Sequence, residues 1–129
     1  MKKILIYSET MLYLKGIDLL INEGIHNIET TCANSFTRFK ELVSPEKHAL
    51  IILHIDFLAE TNKNQVKITS LLPAQTPILI LTDDTVNAGK LFPFIVDHIC
   101  FLDVKNTATK IISMANNMLS MTNSNNTTT

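Results

Sequence analysis

The side chains best placed to do chemistry in this chain sit where short apolar runs end. His54 and Asp56 close Leu50-Ile51-Ile52-Leu53-His54-Ile55-Asp56, a stretch with no formal charge before its last residue. Ser8 and Glu9 follow Ile4-Leu5-Ile6-Tyr7. Thr82 follows Ile78-Leu79-Ile80-Leu81, and Lys105 comes soon after Ile99-Cys100-Phe101-Leu102. An imidazole can titrate near neutrality, bind a metal or accept a phosphoryl group. Carboxylates such as Glu9 and Asp56 can hold a hard cation, and a hydroxyl with an ammonium can neutralise the oxygens of a transferred group.

These residues need strands to bring them together. A short apolar run rich in β-branched residues reads as a strand buried on both faces, as in the middle of a parallel sheet. Strands are expected over 4–7, 28–32, 50–56, 78–81 and 99–102. Between them lie helical patterns. Leu14, Ile17, Leu20 and Ile21 precede a stop at Gly24, with Ser8 or Thr10 as cap. Phe36, Phe39, Leu42 and Val43 share a face behind a cap at Asn34 or Ser35 and stop at Ser44-Pro45. Val66, Ile68, Leu71 and Leu72 form a third segment ended by Pro73. A fourth segment is broken by Gly89 and Pro93 and reads as short or irregular. A fifth runs from about Thr107 to Met121, with Ile111, Ile112, Ala115, Met118 and Leu119 inward. Five such alternations predict one α/β domain: a five-stranded parallel sheet with helices on both faces, doubly wound, its ligand cleft at the carboxyl ends of the strands. The domain is expected over 1–121. The polar 122–129 reads as a tail or linker.

Composition narrows the function. Hydrophobic residues make 46% of the chain and charged ones 18%, ordinary for a globular protein. The formal net charge is −1, and Arg38 is the sole arginine, so no arginine cluster exists to hold DNA or phosphate bidentately. The first apolar run is too short for a signal peptide or a membrane span, which makes the cytoplasm the expected compartment. Cys32 and Cys100 are expected as buried free thiols there; a disulfide is the alternative. The three glycines, at 16, 24 and 89, make no phosphate-binding loop. No nucleophile–base–orienter set is visible, so an enzyme is not expected, and an unrelated flavodoxin-like small-molecule binder is the weakest reading.

The stretch Ile4-Leu5-Ile6-Tyr7-Ser8-Glu9-Thr10-Met11-Leu12-Tyr13-Leu14-Lys15-Gly16-Ile17 resembles a pattern of bacterial response regulators, Ile-Leu-Ile-Val-Asp-Asp-His-Pro-Leu-Val-Arg-Glu-Gly-Leu. The resemblance is to their receiver domain, in particular the kind that precedes a LuxR/NarL-type helix-turn-helix, and it covers about residues 2 to 121. It implies the CheY-like (βα)5 fold and a module of a two-component, transcriptional phosphorelay. In that family two acidic residues after the first strand hold Mg²⁺, and an Asp ending the third accepts phosphate. A Thr or Ser after the fourth strand and a Lys after the fifth contact the phosphoryl group.

Carried onto this chain, the acidic pair is Ser8 and Glu9, and the phosphoacceptor position is His54, with Asp56 as the alternative. The hydroxyl is Thr82. The lysine position falls on Leu102 or Asp103, with Lys105 within reach if the strand runs on. Glu9 and Thr82 alone are kept in kind, which implies a pseudo-receiver controlled by dimerisation or partner binding. His54 is then expected to fill a vacated acidic pocket and bond Glu9 or Thr82; a carboxylate nearby would favour its cationic form. No cofactor is required on this reading. The alternative is a working phosphoacceptor at Asp56 or His54 with Mg²⁺ on Glu9 and Asp56. Implied partners are a second copy and a sensor histidine kinase, with DNA reached only through an output domain that this chain does not contain. Asp83-Asp84 reads as a solvated helix start, and Phe92, Phe94 and Phe101 as core or partner face.

Overall fold

The computed structural model describes residues 1–43, 48–55, 68, 70–73, 75–85 and 98–127, the last seven by their helical backbone. Within these lie β1 (Lys2–Tyr7), α1 (Met11–Gly24), β2 (Ile28–Ala33), α2 (Phe36–Val43), β3 (Leu50–Ile55), β4 (Ile78–Thr82), β5 (Ile99–Asp103) and α3 (Ala108–Thr127). All strand pairs are parallel, in the order β2-β1-β3-β4-β5. The expected sheet is present. Its strands run slightly past their apolar cores because polar ends find partners: Lys2 pairs with Ile28, and Thr82 with Asp103.

β3 holds the centre, and all six of its residues are buried. Strand alternation divides them between two layers. Leu50 and Ile52 pack with Ile4, Ile6, Leu79 and Leu81 beneath α1 and α3. Ile51, Leu53 and Ile55 pack with Leu5, Tyr7, Ile78 and Ile80 beneath Phe39 and Val43 of α2. Burying one such aliphatic side chain contributes roughly 1.5–3 kcal/mol. Two apolar faces on one strand are therefore stable only with helices above and below.

The helix ends have particular causes. Thr10 occupies the N-cap position of α1, but its side chain makes no capping bond. Ser8 closes that turn instead, its Oγ accepting the Thr10 N–H at 3.1 Å. Ser35 caps α2 by accepting the Arg38 N–H at 3.2 Å. Gly24 ends α1 as expected, though not through a left-handed conformation, since no glycine among the described residues has positive φ. A Cβ there would drive into Ile112 of α3. Close helix approach is what requires glycine. The backbone of α3 continues to Thr127, beyond the expected end near Met121; once a helix is nucleated, each added residue gains a bond without needing burial.

Of the expected third helix, Ile68 is buried in the α2-side layer, while Val66 lies outside the described residues. The fourth helical segment, with Phe92 and Phe94, also lies outside them; Phe101 is half-buried. Cys32 and Cys100 are free thiols, half-buried rather than fully buried. No described helix is long and apolar enough to cross a membrane.

Candidate functional site

β1 is flanked by β2 on one side and β3 on the other, so the winding of the chain reverses between β1 and β3. Ligands of open α/β sheets lie outside the carboxyl ends of the strands at such a point. Tyr7 pairs with Leu53 in register, and the next rung brings Ser8 beside His54. Both side chains are buried. Ser8 Oγ lies 2.8 Å from His54 Nδ1.

The serine network indicates which atom holds the proton. A hydroxyl has one proton and two lone pairs. The Thr10 N–H donates to Ser8 Oγ, and Ser8 Oγ is placed to donate to the Thr10 carbonyl, each at 3.1 Å. All three contacts of Ser8 are satisfied together when His54 Nδ1 carries a hydrogen and donates, an assignment made from the network. The imidazole face is covered by Tyr13 of α1, stacked with ring centroids 4.3 Å apart and planes inclined by 21°. Tyr13 itself is 43% exposed, so it stands between His54 and solvent.

Tyr7 points to the opposite layer, edge-on to Phe39 at 5.2 Å. Its hydroxyl is buried and finds no hydrogen-bond partner. Burial first, and then the Glu9 carboxylate by its charge and by an approach short of a full hydrogen bond, push the phenol well above the ordinary tyrosine range. Glu9 is exposed.

Thr82 is buried at the end of β4, where it is the register partner of Ile55 and Asp103. Alternation sends His54 with Leu50 and Ile52 toward α1, and Thr82 with Ile78 and Ile80 toward α2. The two are thus assigned to opposite layers. The Thr82 hydroxyl accepts the Asp84 N–H at 3.2 Å, closing the turn after β4. Of the positions considered for a lysine, Leu102 is buried core and Asp103 stands on the rim beside Thr82. Lys105 is exposed in the following turn, where its N–H donates to Asp103 Oδ1 at 2.8 Å. Asp56 lies outside the described residues.

No family model matches the sequence, and no curated protein matches it. Solved structures do. A receiver domain protein (CheY-like) from Methanospirillum hungatei JF-1 superposes with a TM-score of 0.75 at 12% identity, over 97% of this chain and 98% of that one. The receiver domain of the Francisella response regulator 1452 gives 0.68 at 20% identity, over 95% and 99%. A LuxR family DNA-binding response regulator from Silicibacter pomeroyi gives 0.71 at 12% identity, over 93% of each chain. This chain has the receiver fold.

Within that receiver fold two groups of the expected positions are each joined by direct contacts. Ser8 and His54 meet directly. Thr82, Asp103 and Lys105 form a second set, tied to one another through the β4 and β5 turns. His54 is bonded to Ser8, because β1 and β3 are adjacent and Ser8 is next on the rung. A hard divalent ion takes about six oxygen ligands, several of them carboxylate. Beside His54, the buried serine hydroxyl is committed to Thr10 and the imidazole, and Glu9 is the one carboxylate among the described residues that directly follows β1. No described group of three or more His, Cys, Asp or Glu could hold a metal ion. Of the two carboxylates expected to hold Mg²⁺, Glu9 is described and Asp56 lies outside the described residues. Sequence reasoning missed Tyr13 as part of this site. An aromatic in the first turn after Ser8-Glu9 was the available signal for Tyr13.

Proposed function

We propose that this chain is a receiver-like signalling module of a two-component-type, transcriptional regulator of the LuxR/NarL kind, controlled by assembly rather than by aspartyl phosphorylation. The observation behind this reading is the state of His54. It is buried, its Nδ1 is bonded to Ser8 Oγ at 2.8 Å, and its ring lies under Tyr13. An imidazole so engaged fills a pocket that a carboxylate and its counter-ion would otherwise need. On this reading the protein is not an enzyme, needs no cofactor and works in the cytoplasm. Its partners are a second copy and a sensor histidine kinase, and DNA is reached through a separate output domain.

Incubation with acetyl phosphate and Mg²⁺, followed by intact mass, tests the proposal beside His54→Ala and Asp56→Asn variants. The expected mass is unchanged. Uptake of a phosphoryl group that vanishes only in Asp56→Asn would establish a working receiver. Loss only in His54→Ala would make His54 the acceptor.

A further inference from the structure

We propose that the outer face of α1 is a self-association surface, pairing antiparallel with α1 of a second copy about a two-fold axis at Leu19. This deepens the reading of control by assembly and rests on it. The core face of α1 carries Leu14, Ile17 and Ile21. At about 100° per residue, the stripe opposite carries Leu12, Lys15, Gly16, Leu19 and Glu23. Leu12 is 82% exposed and Leu19 61%. Four of the five large hydrophobics exposed among the described residues belong to this helix, the others being Met11 and Tyr13. Leucines so exposed bury little of their apolar surface in one copy.

The charges on the stripe select the occupant. Lys15 lies four residues before Leu19 and Glu23 four after it, both exposed. A two-fold axis at Leu19 sets each Lys15 opposite the other copy's Glu23, and it does so twice. Parallel pairing would set like charges together. Gly16 lies in open space, with nothing within 4 Å of where a Cβ would stand, so the backbones can approach beside the leucines. A contact of this size is small beside the roughly 1,200 Å² of a stable interface, which makes the dimer concentration-dependent.

Sedimentation velocity over a concentration series tests the surface, with Lys15→Glu and Lys15→Glu/Glu23→Lys variants checked for folding by circular dichroism. Lys15→Glu should weaken dimerisation about tenfold, and the double reversal should restore it. Under mild oxidation Leu19→Cys should cross-link between copies. Leu12→Cys, away from the axis, should not exceed the wild-type background from Cys32 and Cys100. A chain that stays monomeric into the millimolar range overturns this surface together with control by self-association. A dimer indifferent to Lys15→Glu, with no added cross-link in Leu19→Cys, overturns the α1 surface and leaves control by assembly standing. Phosphoryl uptake in the mass experiment would count against the functional reading without touching this one.

Discussion

Tyr13 lies nearly parallel to His54 across the mouth of the site, the two ring centroids 4.3 Å apart. The contact joins the first turn of α1 to the carboxyl end of β3. It gives a half-exposed tyrosine control of access to a buried imidazole. Removing the ring should expose His54, so diethylpyrocarbonate should modify it several-fold faster in Tyr13→Ala. Peptide mapping, with His26, His48 and His98 as internal references, reads this directly. The stacking itself contributes about 0.5–1.5 kcal/mol, and denaturant unfolding should register a loss of at least that size.

Ser8 is the hinge of the hydrogen-bond network. Ser8→Ala leaves His54 Nδ1 and the Thr10 N–H without their acceptor. A buried donor left unsatisfied costs about 1–3 kcal/mol. The variant should lose stability in that range on urea unfolding, with an unchanged m-value. No loss would mean that the serine is a spectator.

Tyr7 predicts the opposite sign. Its buried hydroxyl has no partner, so Tyr7→Phe removes a desolvated polar group while keeping the edge contact with Phe39. Stability should hold or rise by about 1 kcal/mol. Glu9→Gln should bring the phenol back toward the ordinary range, because the carboxylate opposes its ionisation. Ultraviolet titration of the phenolate, with Tyr13 as the second transition, separates these effects.

Cys32 ties thiol chemistry to pH. Burial, then the Asp18 charge and a hydrogen bond to Asp18, push its thiol up to about 11 from 9.0. The folded state therefore holds a proton that the unfolded chain releases. The stability linked to this group is complete below pH 9 and declines as pH rises from 9 toward 11. Disulfide-exchange reagents should react slowly with Cys32 at neutral pH. Asp18→Asn should speed the reaction by lowering the thiol pKa, provided the fold survives. Asp18 Oδ1 also accepts from Thr30 Oγ1 at 2.6 Å, so circular dichroism must accompany the rates.

Gly24→Ala tests the α1–α3 contact. The new methyl meets Ile112, and inserting one into a packed site typically costs about 1–3 kcal/mol. Pairing it with Ile112→Val should recover part of the loss. If glycine served only to stop the helix, the single alanine would cost little.

The sequence by itself determined the alternation of strands and helices and the two-sided burial of Leu50 to Ile55. It also determined that Ser8, His54 and Thr82 stand at the carboxyl rim. These are local facts, written in hydrophobic period and in the polar residue that ends each run. Tertiary structure decided the partners. Ser8 meets His54 across 46 residues because β1 and β3 are neighbours at the point where the winding reverses. Thr82 is turned toward the other layer by the parity of its strand, one rung beyond His54. Tyr13 covers the imidazole because α1 crosses over that rung, and Gly24 is required by a helix that begins more than eighty residues later. Period tells a residue which face it occupies; strand order and helix packing alone tell it what it touches.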